Sequence, residues 1–443
     1  MRLRRVAAIA GVLAICLSNG RVGVGQQKSG ALDSDALYQL SQMLQDARDE
    51  VKKHYYDPKL NGLDWDARYR EYSAMLSKSR NLGEGFRVIA AFLDGLKDSH
   101  VYFIPPQRQN RYEDGYQYQL VGDRCFITQV RPKSDAEEKV HIGDEILTLD
   151  GFNINREDYQ DLRYFFRVLS PMPAAQLAVR APDGTQRTVV VQHSVKTGKV
   201  MMDLTDDEGT TDLESMVRRS ENSLHASRAK ILEQGDVAIW KLRRFDLDIG
   251  EVEHFIGTAL KHKTLILDLR GNGGGYTDTL KDLVGYLFDK DVKIADRVGR
   301  KESKPMIAKR QGNPFTGKLV VLVDSGSASA AELLARVVQL EHRGTVIGDK
   351  SAGAVMEARH YEDSRGVDTK FFYGFSVTDA NLIMSDGKSI EKVGVTPDEL
   401  VLPTGADLAA GRDPVLARAA ELAGIKLDPV EAGKMFPFEW API

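Results

Sequence analysis

Ser329 stands in Ser327-Ala328-Ser329-Ala330-Ala331-Glu332, directly after the apolar run Leu319–Val323 and before the helical pattern Glu332–Val338. A small serine on such a strand-to-helix turn can point its hydroxyl out of a sheet. It lies among unpaired helix N–H groups, where negative charge is favoured. These are the conditions a nucleophile and a developing oxyanion need. The same spacing also fits an N-cap at Ser327 or Ser329, since Ser with Glu a few residues on is a common helix start. A second segment, Asp268-Leu269-Arg270-Gly271-Asn272-Gly273-Gly274-Gly275-Tyr276, likewise follows an apolar run and opens a helical pattern. Its glycines let successive N–H groups face one point, which suits an anion or oxyanion. A phosphate loop is disfavoured: no Gly-Lys-Ser/Thr ending is present, and Tyr276 breaks the Gly-x-Gly-x-x-Gly spacing. A tight turn is the plain alternative. There is no His-Glu-x-x-His or Cys-x-x-Cys, so neither a metal nor a cofactor is called for.

These segments sit in a strand–helix alternation. Val237–Leu242, Thr264–Leu269, Leu319–Val323 and Thr345–Gly348 read as strands, and Val252–Leu260 and Thr277–Phe288 as helices. Such alternation predicts an α/β layered core with a mostly parallel sheet over residues 231–443. Residues 32–110 read as a helical region, with Leu37, Leu40, Met43, Leu44, Ala47 and Val51 at helix spacing. Residues 112–195 read as a β-rich module. Its expected strands are Tyr116–Val121, Cys125–Val130, Glu145–Leu149, Gln176–Val179 and Thr188–Gln192, separated by Gly-Asp and Asp-Gly turns. The polar stretch 196–230 reads as a linker.

The 443 residues are 42% hydrophobic and 28% charged, the balance of a globular protein with two or three domains. Residues 1–25 have the form of a secretory signal: Arg2, Arg4 and Arg5, then the apolar stretch Val6–Leu17, then small residues. That stretch is too short to span a bilayer as a helix, and no other segment is long and apolar enough. A secreted or periplasmic protein without a transmembrane anchor is therefore expected. Removing the signal moves the formal charge from −4 to −8, which does not favour a nucleic-acid partner. Cys125 would then be the remaining cysteine, in an alternating apolar context that predicts a buried strand position.

Ile142-Gly143-Asp144-Glu145-Ile146-Leu147 followed by Asp150-Gly151 resembles a PDZ domain. That resemblance implies a peptide groove in which Gly115, Tyr116, Gln117 and Tyr118 form the carboxylate-side loop and docking strand. The pair Leu265–Gly275 and Leu319–Glu332 resembles the C-terminal processing serine peptidases, the family of tail-specific proteases and the tricorn core protease. The resemblance implies a crotonase/ClpP-like core with the PDZ-like module inserted. It also implies Ser329 as nucleophile, with an oxyanion site made by the N–H of Ala330 and a loop glycine, Gly274 in first place and Gly273 next.

The tail-specific branch has a lysine base 25 residues after the serine, and here that place holds Ala354. Lys350, four residues earlier, is one substitute. The other is His100, in Leu96-Lys97-Asp98-Ser99-His100, which is similar to the tricorn branch. By that likeness Ser99 and Glu391, the latter in Glu391-Lys392-Val393-Gly394-Val395-Thr396-Pro397-Asp398, orient the imidazole. His342 and His360 are weaker candidates, and Asp98 reads as a local cap. The expected function is serine endopeptidase action on a polypeptide, with self-association left open. The alternative is a non-catalytic peptide- or lipophile-binding protein on the same scaffold.

Overall fold

The structure is a computed structural model that describes residues 32–108, 110–197, 229–365 and 371–440. The expected signal at 1–25 and most of the linker at 196–230 lie outside the described residues.

The six-stranded central sheet runs in the order Ala229–Gln234, Val237–Leu242, Thr264–Asp268, Lys318–Val323, Thr345–Gly348 and Glu399–Leu400. The first pair is antiparallel and the other four are parallel. A parallel sheet of this kind is covered on both faces, which explains why Thr264–Asp268 is buried throughout. Side chains alternate between the two faces. Leu265, Leu267, Leu319, Val321 and Val323 join one apolar core with the helices Ile249–Ala259, Thr277–Leu287 and Ala330–Leu340. Ile266, Val320 and Leu322 join another with the C-terminal helix Pro414–Leu422. The Ala330–Leu340 helix turns Ala331, Leu334, Ala335 and Val338 to the first core, at the i, i+3, i+4, i+7 spacing of one helix face.

Three helices near the N-terminus, Ser34–His54, Trp65–Leu76 and Leu82–Leu93, share a core with one face of a second, antiparallel sheet through Phe103, Tyr373, Phe375 and Val377. That sheet contains the long hairpin Met356–Arg365/Phe371–Ile383 and the hairpin Val292–Gly299/Ser303–Ala308. Sequence periodicity did not reveal it. The Met356–Arg365 strand is largely exposed and charged, so no apolar alternation marks it.

The β-rich module has its own core on Tyr116, Tyr118, Leu120, Ile127, Leu177 and Val179. Cys125 is buried in it, and burial pushes its thiol pKa up, so it is no reactive thiolate. The module is bolted to the central sheet at two loops. Gln119 Nε2 donates to Asp324 Oδ2 at 2.6 Å, and Ser325 Oγ donates to the Leu120 carbonyl at 2.6 Å. Asp349 Oδ2 accepts from Gly122 N–H at 2.9 Å and Arg156 Nη2 at 2.8 Å.

Candidate active site

Ser329 occupies the N-cap of the Ala330–Leu340 helix, so both readings of its sequence context fall on one residue. Its backbone separates them. Ordinary N-caps are extended, as Asp33, Asn81 and Asp248 are here with φ of −65°, −154° and −77°. Ser329 has φ 55° and ψ −117°, a conformation that costs a side-chain-bearing residue about 1–3 kcal/mol. It is held there from several sides. Its N–H donates to the Ala354 carbonyl at 2.9 Å and to Glu332 Oε2 at 3.1 Å, and its carbonyl accepts from Leu333 N–H at 3.0 Å.

Glu332 does more than cap. It is fully buried. Oε1 accepts from Ser351 Oγ at 2.5 Å and Gly353 N–H at 2.7 Å, and Oε2 accepts from Ala354 N–H at 2.9 Å as well as from Ser329. One carboxylate thus ties the 351–354 loop to the Ser329 turn. Burial pushes its pKa up to about 7, against the pull of those hydrogen bonds.

The glycine loop lies against the same turn. A Cβ on Gly274, whose φ is +95°, would fall 2.7 Å from Ser329 Cβ and 3.0 Å from the Ala328 carbonyl oxygen, so only glycine fits. Asn272 clasps the loop. Its carbonyl accepts from Ala328 N–H at 2.8 Å, its Nδ2 donates to the Leu242 carbonyl at 2.9 Å, and its Oδ1 accepts from Gly274 N–H at 2.8 Å. This last bond corrects one expectation: the Gly274 N–H is already engaged and does not face an oxyanion. Gly275 pairs with Phe245 as a parallel bridge, with Phe245 N–H on the Gly274 carbonyl and Tyr276 N–H on the Phe245 carbonyl. That pattern turns the Gly275 N–H away from Phe245. Among the described residues, the N–H groups of Gly273, Gly275 and Ala330 carry no acceptor.

Beneath the loop, Asp268 is fully buried and is gripped by Arg270, with Nε–Oδ1 at 2.9 Å and Nη2–Oδ2 at 2.8 Å, and by Lys241 at 3.1 Å. Arg270 in turn holds Asp413 through two bonds of 2.8 Å. Against the opposing effect of burial, the paired cations hold the Asp268 carboxyl pKa far below the usual range.

His100 follows the helix Leu82–Leu93, a 3-10 turn at Asp94–Leu96 and a left-handed Lys97. Ser99 Oγ lies 2.8 Å from His100 Nδ1 and donates to Glu391 Oε2 at 2.8 Å. Glu391 also accepts Ser99 N–H at 2.9 Å and Val355 N–H at 2.8 Å. A carboxylate only accepts, so the Ser99 proton points to Glu391 and Ser99 Oγ accepts from His100 Nδ1–H. This leaves Nε2 as the basic nitrogen. Burial lowers the His100 pKa, Glu391 opposes that shift, and Lys392 and His360 add to it. No hydrogen bond joins the His100 ring to Ser329 among the described residues. The two halves of the site meet at one peptide instead: the Ala354 carbonyl takes the Ser329 N–H, and the next N–H, of Val355, goes to Glu391.

Residues 236–401 match the Peptidase family S41 model, and residues 39–94 match the Tricorn protease C1 domain model. The chain carries an S41 peptidase domain. The putative tricorn protease homolog 2 of Streptomyces coelicolor is 24% identical over 405 residues, covering 84% of this chain and 31% of that relative. A probable CtpA-like serine protease of Staphylococcus haemolyticus is 23% identical over 382 residues, covering 82% of this chain and 66% of the relative. The carboxyl-terminal-processing protease of Synechocystis is 34% identical over 139 residues, covering 31% of this chain and 30% of the relative. The chain therefore spans less than two thirds of the length of these relatives. Among solved structures, mature CPAF complexed with lactacystin superposes with a TM-score of 0.62 at 16% identity, covering 85% of this chain and 96% of that one, a likeness of fold.

Among the described residues none of the other candidates, His342, His360 and Lys350, is hydrogen-bonded to Ser329. His342 lies beyond the far end of the Ala330–Leu340 helix, whose 11 residues span about 16 Å at 1.5 Å per residue. His360 is exposed, with Nε2 at 3.3 Å from the Tyr102 hydroxyl. The main chain of Lys350 is drawn onto the module, its carbonyl accepting from Arg156 Nη1 at 3.0 Å. Gly115–Tyr118 leads into the module's edge strand. On that edge the carbonyls of Tyr118 and Leu120 are already taken by the hydroxyls of Tyr159 and Ser325. Among the described residues no group of His, Cys, Asp or Glu is arranged to hold a metal ion, and no helix is long and apolar enough to cross a membrane. Sequence reasoning missed the roles of Glu332 and Asn272. The capping-box spacing from Ser329 was the one signal that singled out Glu332.

Proposed function

We propose that this protein is a serine endopeptidase that cleaves polypeptides through an acyl-enzyme, with His100 as its base. The observation that carries this reading is the Glu391–Ser99–His100 relay, which leaves His100 Nε2 unprotonated and is tied through the Ala354–Val355 peptide to a strained serine. Ser329 Oγ attacks the scissile carbonyl while its proton passes to His100 Nε2. The N–H groups of Ala330 and of Gly273 or Gly275 receive the oxyanion. The imidazolium is stabilised through Ser99 by Glu391 and returns its proton to the leaving amine. Water, deprotonated by the same histidine, then hydrolyses the ester. The step needs Nε2 and Oγ to close to hydrogen-bond distance on substrate, as catalytic contacts often do.

The β-rich module, read as PDZ-like, supports delivery of an unfolded or C-terminal peptide segment. Its edge strand ends on Ser325, four residues before Ser329. The apolar stretch following Arg2, Arg4 and Arg5 supports a secreted or periplasmic location.

A fluorophosphonate probe followed by peptide mapping tests the nucleophile. Labelling of wild type at Ser329, absent in Ser329→Ala, is expected. Equal labelling of both, or none of either, would favour the non-catalytic binding role.

A further inference from the structure

We propose that Asp98 is a positioning residue for His100, an inference that rests on the peptidase reading above. The segment that carries His100 belongs to neither a helix nor a strand. It leaves a helix through a 3-10 turn and left-handed Lys97, and the strand Tyr102–Ile104 begins two residues after His100. The aim of the imidazole is therefore set by what grips the intervening main chain. Asp98 Oδ1 accepts the His100 N–H at 2.9 Å and the Thr378 hydroxyl at 2.8 Å. Thr378 is fully buried in the long strand Phe371–Ile383, where its carbonyl accepts Tyr56 N–H at 2.9 Å. The carboxyl thus clamps the base to the most extended strand of the second sheet.

Its other oxygen, Oδ2, is buried, and the Tyr55 hydroxyl interacts with the carboxyl. The Tyr55 ring beside it is fully buried, and the Tyr55 hydroxyl accepts from Asn61 Nδ2 at 3.0 Å. A buried carboxyl that joins the His100 main chain, Thr378 and Tyr55 does more than cap a turn, since it fixes the geometry of the segment between them. Ser99 and Glu391 fix which ring nitrogen is basic, and Asp98 fixes where that nitrogen points.

The test compares Asp98→Ala, Asp98→Asn, Thr378→Val and His100→Ala in the full chain. The readouts are turnover of unfolded casein, fluorophosphonate labelling rate and thermal unfolding. Asp98→Ala should lower kcat roughly 10- to 100-fold, the scale of an ångström-sized misplacement, with KM within about twofold. Asp98→Asn keeps the Oδ1 acceptor and should recover most of that loss. Thr378→Val, which removes one of the two bonds, should fall between them. If Asp98→Ala does not fold, the other two variants decide. Asp98→Asn as impaired as Asp98→Ala, or Thr378→Val at wild-type kcat, overturns the proposal. So does Asp98→Ala at wild-type kcat while His100→Ala is inactive. His100→Ala with undiminished turnover would instead remove the base assignment on which the inference rests.

Discussion

The Ala354 carbonyl accepts the Ser329 N–H at 2.9 Å, so the residue that stands where a lysine base was expected grips Ser329 through its backbone. Its methyl carries no base, and the next N–H leads to Glu391 and so to His100. The loop therefore links the Ser329 turn to the Glu391–Ser99–His100 group through its backbone alone.

The base can be identified by contrast. His100→Ala should lower kcat by about 10²–10⁴-fold, the usual range for a lost general base. Lys350→Ala should stay within about threefold. Ser99→Ala should also reduce kcat, because Nδ1 loses the acceptor that sets its tautomer. Steady-state hydrolysis of an unfolded protein by the three variants decides it, and a dead Lys350→Ala beside an active His100→Ala would reverse the assignment.

Glu332 should shape the acid limb of the pH–rate profile. Its carboxyl titrates near pH 7 and must be ionised to accept all four donors, so kcat/KM should rise as pH increases through about 7. His100, whose pKa is lowered, is already neutral there. Glu332→Gln should be slow and should lack the inflection near pH 7. The same raised pKa acts oppositely on stability. The native state holds this proton more tightly than the unfolded chain, so the contribution is full below about 4.5 and is lost as pH rises through 7. A wild-type profile with no inflection near 7 would contradict this role.

Gly274→Ala tests the loop contact. The new methyl meets Ser329 Cβ and the Ala328 carbonyl inside contact distance at a positive φ, so one side must move. Overpacking of this kind costs about 1–3 kcal/mol. Probe labelling of Ser329 should be lost while the helical circular-dichroism signal persists. Undiminished labelling would show that the turn tolerates displacement.

Arg270→Ala should destabilise the whole S41 domain. It strands Asp268 in the core with Lys241 alone and frees Asp413, and breaking one side of a buried ion pair costs about 3–5 kcal/mol. Differential scanning calorimetry should show a Tm drop of several degrees at pH 7.

Much of the site was legible along the chain because its parts are local. A buried strand, a glycine or serine turn and an amphipathic helix lie within about a dozen residues of one another, and their periodicities change at the turn itself. Ser329, the 271–275 loop and the parallel core could therefore be located from residue type and spacing. The charged hairpin Met356–Arg365/Phe371–Ile383 could not, since most of its first strand faces solvent and leaves no apolar rhythm.

What only the tertiary structure decided are the contacts that close over long separations. Glu391 meets Ser99 across 292 residues, and Asp98 meets Thr378 across 280. Asn272 takes the very N–H that the glycine pattern offered to an oxyanion, and Glu332 draws a distant loop onto the helix cap. Sequence periodicity reports which way a side chain faces within its own element. Which donor meets which acceptor depends on how separate elements pack, and that was set here by the two sheets and the loops between them.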